Sequence, residues 1–570
     1  MRRRSFGEGA FFYIILCNFA FHIPFHVGVN PLSDVMTIHM RLFLTIFTAL
    51  LLMFPAKASS QDDTGDCLPD TSAWFRDLRR YVARPKAPDS LDVARLEKKA
   101  FWRASAETLG LNIGLWAFDR YVQKGHYAYI SWETIKENFR HGFEWDNDHL
   151  GTNMFAHPYN GSLFYNAGRS NGYNFWQSEL FAIAGSAMWE MFMECEYPST
   201  NDIIATPIGG AAIGEALYRT ADVILDDRSR GEERFGRELA AFIVSPMRGF
   251  TRLVTGRAWE HRATTGRRFG TPPVTVAFSL GPRLLVFHNG DDMAKAGLSA
   301  RIYLEYGDRF SPETRHPYDY FSFLLDLDVM KTQPLLNRVE IMGRLLSRSL
   351  IDTHKTDLSI GMYQHFDYFD SDTISKEQPA LPLMPCQVPY KFGTPASIGG
   401  GLTLQHTECN RWRLDAYAHV NAVILGGILS DFYRFYHRNY NWGSGFSLKG
   451  GFNFKMPRKR FNAGADARFF RLYTWDGYRD QGNFTGPDGR PLNIQGDRSN
   501  GSFFNLNIHA NYRIFTRLYA TLSFDWYRRY SHYPDIYLRF TDQYGNMSGT
   551  DGPIITSDQL GLKVMLTYHL

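Results

Sequence analysis

The C-terminal half of the chain repeats one pattern, in which apolar and polar side chains alternate over segments of about ten residues. In the last segment the apolar positions are Leu560, Leu562, Val564, Leu566, Tyr568 and Leu570. A period of two is that of a β-strand with two different faces, and it suits a barrel that meets lipid outside and water inside. The pattern therefore predicts a membrane β-barrel.

The same alternation recurs upstream, for example at 298–305, 411–420, 504–514 and 518–526. Counting such segments gives about twelve strands, an even number as in single-chain bacterial barrels. The connections predicted to be periplasmic are short, whereas most of the opposite ones are long, which is typical of these barrels. A secreted β-sandwich would also alternate, but the terminal strand and the loop asymmetry favour the barrel. We assign 270–570 to an antiparallel outer-membrane β-barrel.

The predicted lumen face of this barrel is charged. Asp326 and Asp328 in one strand lie beside Arg338, Glu340 and Arg344 in the next. Since buried charges must be paired or hydrated, we expect ion pairs there. About twelve strands enclose a lumen that side chains can largely fill, so a wide general pore is not implied.

Residues 40–58 have the features of a signal peptide: a basic start, an apolar run and an Ala-Lys-Ala end, with cleavage expected after Ala58. Residues 1–39 are a doubtful extension, and we expect translation to begin at Met36 or Met40. A signal anchor comprising the whole front end is the alternative. An envelope protein is predicted in either case.

Composition limits the partners. With 62 basic and 58 acidic residues the chain is close to neutral, so it lacks the basic surface of a nucleic-acid binder. Few cysteines would remain after cleavage, and the sequence does not show whether any of them pair; they are Cys67, Cys195, Cys386 and Cys409.

Residues 59–95 read as a linker, and 96–265 as a mainly α-helical domain on the periplasmic side of the barrel. Helices are predicted over 99–123, 131–139 and 174–194, the second capped by Ser131. A further helix follows a cap at Ser199 or Thr200. It contains Gly210 and Gly214, whose spacing of four would let a neighbouring helix or the barrel wall approach closely.

This region resembles an uncharacterised domain-of-unknown-function family found ahead of outer-membrane barrels in Gram-negative bacteria. The resemblance implies location and architecture and brings no known activity. The residues that carry it are His157-Pro158-Tyr159, Gly161, Tyr165, Arg169, Gly172, Ser178, Trp189-Glu190, Glu194, Pro198-Ser199, Asp202, Thr206-Pro207, Gly210 and Gly214-Glu215.

Polar residues in this domain are few, and several are of catalytic type. His157, Glu190, Ser199 and Asp202 together would supply a base, an acid and a nucleophile for a hydrolase acting on lipid or glycolipid. No glycine-flanked serine elbow or zinc-helix motif accompanies them. A buried polar network that joins the helices to the barrel is the favoured alternative, since charges in a water-poor setting need partners.

Four further residues are predicted to bind a ligand or a partner group: Tyr159, Arg169, Glu194 and Glu215. Glu190 and Glu194 are four apart on one helix face, where like charges repel unless they are protonated, paired or bridging a cation, and Arg169 and His157 are the expected partners. Metal binding through His149, His157, Glu190 and Glu194 matches no standard spacing. We therefore predict no metal and no other cofactor.

The first functional hypothesis is a non-enzymatic outer-membrane protein whose helical domain plugs or organises the barrel, binding lipid or gating a small solute. The alternatives are an envelope lipid hydrolase and a surface receptor or adhesin that uses the outer loops. The expected partners are membrane lipid or lipopolysaccharide and the barrel-assembly machinery.

Overall fold

A computed structural model describes residues 86–288, 292–311, 314–331, 333–353, 355–372, 388–408, 411–433, 438–456, 460–475, 496–541 and 547–570. The predicted extension and signal peptide, most of the predicted linker, and Cys67, Cys386 and Cys409 lie outside these residues.

Eight α-helices precede the barrel in the described part of the chain. They are α1 (Ser90–Leu96), α2 (Phe101–Phe118), α3 (Trp132–His141), α4 (His157–Ser170), α5 (Phe175–Phe192), α6 (Asp202–Ile224), α7 (Gly231–Val244) and α8 (Pro246–Val254). One π-helical turn, Asp119–Gln123, continues α2, and another, Thr152–Ala156, runs into α4. None of these helices is both long and apolar enough to cross a membrane.

Local sequence explains where several helices begin. The predicted cap Ser131 starts α3, where its side chain and that of Thr134 bond reciprocally to each other's backbone N–H. Asn174 and Gln177 do the same at the start of α5. Helix α1 begins within the stretch predicted to be linker. Asp89 caps this helix by accepting a hydrogen bond from the Leu91 N–H.

Twelve antiparallel strands form the closed barrel, as predicted. They are β1 (Val274–His288), β2 (Asp292–Tyr306), β3 (Phe321–Val329), β4 (Leu336–Asp352), β5 (Thr356–Asp370), β6 (Lys391–Glu408), β7 (Trp412–Leu429), β8 (Tyr440–Met456), β9 (Phe461–Tyr473), β10 (Asn500–Arg513), β11 (Leu518–His532) and β14 (Ile554–His569). The C-terminal strand β14 closes the barrel by pairing with β1, with Leu284 opposite Leu562. A small hairpin, β12 (Tyr537–Thr541) and β13 (Met547–Asp551), lies between β11 and β14.

The two ends of the barrel differ in their connections. The turns after β4, β6, β8 and β10 are short, whereas those after β5, β7, β9 and β11 are long; the first strands depart from this pattern, with short connections after β1 and β3 and a longer one after β2. Because outer-membrane barrels have short turns on the periplasmic side, the long connections mark the outer end. Outward-facing side chains on the free wall, such as Val420, Leu448 and Val564, are apolar and exposed. This architecture is that of an outer-membrane protein.

The helices pack against the outside of one arc of the barrel wall. Arg338 and Glu340 of β4 point into the lumen, so Val339 and Ile341, on either side of Glu340, point outward, yet both are buried. They share a hydrophobic core with residues of α4, α5 and α6. The helical domain therefore replaces lipid along this arc.

Helix α6 runs the height of the covered arc. Near its start, the connection between α3 and α4 contacts the outer end of the wall, where the Trp145 ring lies 5.6 Å from that of Trp442. Near its end, Arg219 donates hydrogen bonds to Asp319 and to the Pro317 carbonyl in the periplasmic β2–β3 connection. The predicted close approach at Gly210 is made to α4, because a Cβ there would lie 2.5 Å from the Gly161 carbonyl carbon.

The lumen is filled by the barrel's own side chains. Its outer half holds an aromatic cluster of almost fully buried rings: Phe369, Tyr390, Phe392, Phe470, Phe503 and Tyr527. Beneath it, Asp326 forms ion pairs with Arg301 (2.6 Å) and Lys563 (3.0 Å). A polar cavity of about 1230 Å³ continues toward the periplasmic end. Arg344 departs from the predicted network and donates to the Asp308 and Arg309 carbonyls instead.

These contacts correct one expectation. Every described residue that lines the lumen cavity belongs to a barrel strand or to a connection between strands. The predicted plugging of the barrel by the helical domain is therefore wrong for the described part of the chain, and the helices lie along the wall.

Candidate functional site

The predicted catalytic residues meet at the outer end of the helical domain. The connection between α3 and α4 runs beside the connection between α5 and α6, held by hydrogen bonds from the Glu144 N–H to the Pro198 carbonyl (2.8 Å) and from the Thr200 N–H to the Glu144 carbonyl (2.6 Å). We call the group that results the acidic cluster; it consists of Asp146, Asp148, His157, Glu190, Glu194 and Asp202.

Imidazole and carboxyl groups are close together in this cluster. His157 Nε2 lies 3.8 Å from Asp202 Oδ2. One atom each of Asp146, Asp148 and His157 lie within 4.8 Å of one another. The Asp146 and Asp202 carboxyl groups are also in hydrogen-bonding contact. His157 retains 17% side-chain exposure while Asp202 is buried, so the histidine is the group that an incoming molecule could reach.

Ser199 has a different role from the predicted nucleophile. Its hydroxyl oxygen accepts a hydrogen bond from the Asp202 N–H (3.3 Å), as the predicted helix cap would. Its own N–H donates to Glu190 Oε2 at 2.8 Å. Ser199 is buried. Its hydrogen bonds position the start of α6 and the Glu190 carboxylate, and its burial keeps the hydroxyl away from an incoming substrate.

The surroundings of the acidic cluster favour carboxyl groups that are protonated or bound to a cation. Burial, and then the neighbouring Asp202 carboxyl, raise the pKa of Asp146 well above its ordinary value. Burial and the nearby Asp146 charge raise the pKa of Asp148 to about 8. Among the described residues, no lysine or arginine forms a salt bridge with any acid of the cluster. Arg438 is close and donates a hydrogen bond to the Asp146 backbone carbonyl oxygen (2.7 Å).

Several other buried acids of the helical domain are paired with arginine, whereas Glu107 and Asp119 bond to the Thr251 and Tyr127 hydroxyl groups. Arg169 bonds Glu215 through two nitrogens, at 2.6 and 2.8 Å, and Arg219 binds the same carboxylate at 2.8 Å. Tyr165 donates a further hydrogen bond to it. The prediction that Arg169 pairs with Glu190 and Glu194 is therefore wrong, because Arg169 faces α6 and not the end of α5.

The predicted binding residues thus separate into two places. Glu194 belongs to the acidic cluster, whereas Arg169 and Glu215 form a buried tie between α4 and α6. Tyr159 packs against the hydrophobic core that joins the helices to the barrel, with its ring 6.5 Å from that of Phe155.

Sequence reasoning missed Asp146 and Asp148 as site residues. Both lie in the non-helical segment after Trp145, in the run Asp146-Asn147-Asp148-His149. Two carboxylates at a spacing of two fall on one side of an extended segment. That spacing, at the start of a region with few polar residues, is the signal that could have found them.

Comparison with known proteins confirms the resemblance to a family without known function. Residues 142–247 match the family model described as Domain of unknown function (DUF3943), a range that contains the whole acidic cluster. Among curated proteins, none matches this chain in sequence.

Solved outer-membrane proteins resemble the barrel part. The Pseudomonas putida toluene transporter TodX is 9% identical, over 52% of this chain and 89% of that chain, with a TM-score of 0.20. A Pseudomonas aeruginosa FadL homologue is 10% identical over 52% and 89%, with a TM-score of 0.22. The channel DcaP of Acinetobacter baumannii is 12% identical over 52% and 97%, with a TM-score of 0.20. Similarity at this level carries no information about what this chain binds or transports.

Proposed function

We propose that this protein is a lipid-directed hydrolase of the outer membrane, in which the barrel anchors a helical domain that carries the reaction. The observation that supports this most is the acidic cluster. In a domain where Glu215 pairs with arginine, the carboxyl groups of Asp146, Asp148 and Asp202 face one another and His157. Titratable groups perturbed in this way are typical of functional sites.

The surface of the helical domain supports a lipid substrate. On α2, Trp102 is 82% exposed, and on α5 Leu180 is 64% exposed, with Trp176 and Ile183 of the same helix exposed as well. Soluble proteins rarely leave such apolar side chains together in water. We place this face in the bilayer, so that lipid reaches the domain from the side.

The position of the cluster supports the outer leaflet as the source of that lipid. Asp146 accepts a hydrogen bond on its carbonyl from Arg438, which lies in the long β7–β8 connection at the outer end. The Asn153 side chain bonds both Asp146 and Tyr440, the first residue of β8. The site therefore lies at head-group level, where phospholipid and lipopolysaccharide carry ester bonds.

The residues suit hydrolysis by an activated water. His157 acts as the base: its imidazole removes a proton from water as the water oxygen attacks the ester carbonyl, and then gives that proton to the leaving alcohol. Asp202, close to Nε2, is a positioning residue that orients the ring and stabilises its charged form. Glu190, buried behind them, holds the Ser199 backbone that starts α6. No covalent enzyme intermediate is required.

The barrel is given an anchoring role because its lumen is blocked. The aromatic cluster fills the outer half, and ion pairs cross the space below it. A route for solutes through this lumen would require both layers to move.

The test is lipid mass spectrometry on outer membranes from cells expressing the wild type, His157→Gln or Asp202→Asn, with Glu137→Gln as a matched control. Glu137 lies exposed on α3 and pairs with Arg140 within the same helix. Heat-modifiable electrophoresis verifies that each barrel folds. We expect a deacylated lipid with the wild type and the control, and its reduction by about a hundredfold or more in both site variants.

Identical lipid profiles for all four folded proteins would contradict the enzyme. Purified wild type that binds lipopolysaccharide or phospholipid vesicles without releasing fatty acid would replace it with a lipid-binding function.

A further inference from the structure

We infer that the acidic cluster binds a divalent transition-metal cation through Asp146, Asp148 and His157, with Asp202 as a further ligand. The inference concerns the site of the proposed hydrolase and in that sense rests on the proposed function. Its test separates the two.

The ligand atoms already lie at the right spacing. One oxygen of each aspartate and a ring nitrogen of His157 are all within 4.8 Å of one another. Ligand atoms that lie about 2.0–2.2 Å from a common ion are closer to one another than this limit. Only small movements of the three side chains are therefore needed to bind an ion. Two ligands come from the α3–α4 connection and one from the start of α4, so they converge from neighbouring backbone segments.

Asp202 provides an independent observation. Its Oδ1 atom is buried and has no hydrogen-bond donor in the described part of the chain, although the side chain is only 3% exposed. That carboxyl group lies against the Asp146 carboxyl, and two carboxylates cannot satisfy each other unless a proton or a cation lies between them. A buried oxygen without a donor, on a carboxyl group whose other oxygen lies 3.8 Å from His157 Nε2, points to a bound cation.

The surrounding charges favour the same conclusion. Glu190 and Glu194 are in contact behind the site, and both face Asp146 or Asp202. No lysine or arginine side chain in the described residues forms an ion pair with these carboxyl groups. A divalent cation would compensate this negative charge in the way that Arg169 and Arg219 compensate Glu215.

The donor set indicates which ions fit. Carboxylate oxygens combined with one imidazole nitrogen suit Mn²⁺, Fe²⁺ or Zn²⁺, whereas Ca²⁺ and Mg²⁺ prefer oxygen ligands alone. Bound there, such an ion would take over the activation of water from His157, because it would lower the pKa of a bound water and polarise an ester carbonyl.

The experiment uses the full chain, purified in detergent, stripped with EDTA and titrated with Mn²⁺. Free Mn²⁺ is measured by electron paramagnetic resonance, and Zn²⁺ retained after dialysis by plasma mass spectrometry. We expect about one ion per wild-type chain and a loss of affinity of tenfold or more in Asp146→Asn and Asp148→Asn. Glu137→Gln should bind as the wild type does.

Both aspartates lie in a connection and not in a helix, and circular dichroism with heat-modifiable electrophoresis verifies the fold. If a variant does not fold, competition on the wild type tests the site instead: Zn²⁺ should displace the bound Mn²⁺. Binding of neither ion, or binding that both folded variants retain, overturns the inference.

The two proposals fail in different ways. Metal binding without lipid turnover upholds the cation site and contradicts the hydrolase. Lipid turnover that survives complete removal of metal upholds the hydrolase and contradicts the cation site.

Discussion

The side-chain amide of Gln364 on the outer wall of the barrel donates a hydrogen bond of 2.9 Å to the Ile208 carbonyl of α6. Its amide oxygen accepts a hydrogen bond of 3.0 Å from the Tyr318 hydroxyl. Gln364 points outward at the depth where other strands present apolar groups to lipid. This polar side chain is therefore satisfied only while the helical domain is docked.

Replacing Gln364 by leucine should destabilise the docked domain. The buried Tyr318 hydroxyl loses its acceptor, which costs about 1–3 kcal/mol. Urea unfolding in detergent, followed by far-ultraviolet circular dichroism of the helices, measures the change. The double variant Gln364→Leu/Tyr318→Phe should be more stable than the single one, because no donor is left unsatisfied. If the losses of the two single variants add in the double variant, the hydrogen bond between Tyr318 and Gln364 does not contribute to stability.

The contact between α4 and α6 predicts opposite effects for two glycines. A Cβ at Gly210 would lie 2.5 Å from backbone of Gly161, so Gly210→Ala should cost about 1–3 kcal/mol through overpacking. Gly114 on α2 has no heavy atom within 4 Å of such a Cβ. Gly114→Ala should be neutral or stabilise by up to about 1 kcal/mol, since alanine favours helix. Equal effects on the midpoint of thermal unfolding would contradict the close approach.

The buried tie between α4 and α6 should be sensitive to loss of its carboxylate. Glu215→Gln leaves the buried guanidinium group of Arg169 without its counter-charge and removes one of the carboxylates that pair with Arg219, which costs about 3–5 kcal/mol. Glu233→Gln is the control, because Glu233 is exposed and bonds Arg237 on the same helix. That change should cost less than about 1 kcal/mol. The free energy of unfolding of the helical domain measures both.

Docking at the periplasmic end should weaken in acid. Burial raises the pKa of Asp319, but hydrogen bonds from His316 and the charge of Arg219 outweigh it and lower the pKa to about 2. The folded pKa lies below the unfolded one, so the contribution is present above pH ~4 and is lost as the pH falls toward 2. It amounts to about 2 kcal/mol. Asp319→Asn should remove this part of the pH dependence, measured as the difference from wild type.

The barrel could be predicted because the alternating pattern has its physical cause within each strand. A strand between lipid and a polar lumen must alternate, and runs such as Leu560 to Leu570 alternate strictly. The position of the helices could not be predicted in this way. Val339, Ile341 and Phe366 are apolar and outward-facing whether lipid or a helix covers them, so the sequence of β4 and β5 does not distinguish a free arc from a covered one.

The candidate site was predicted in part for a similar reason. His157, Glu190 and Asp202 are rare polar residues among small apolar ones, and such residues tend to be brought together. Which arginine pairs with which acid depends on helix orientation, so the partner of Arg169 was misassigned. Ser199 is suited both to capping and to nucleophilic attack, and only the hydrogen bond from the Asp202 N–H decides between them.

The covered arc also constrains how the protein is assembled. Until the helices dock, that arc would present Gln364 and the Tyr368 hydroxyl to hydrocarbon, and the helices would present Arg169 and Glu215 to their surroundings. The helices precede β1 in the chain and are already synthesised when the strands close. The barrel therefore has to be inserted into the membrane with the helical domain already docked on its wall. Insertion of the barrel and folding of the helical domain become a single event.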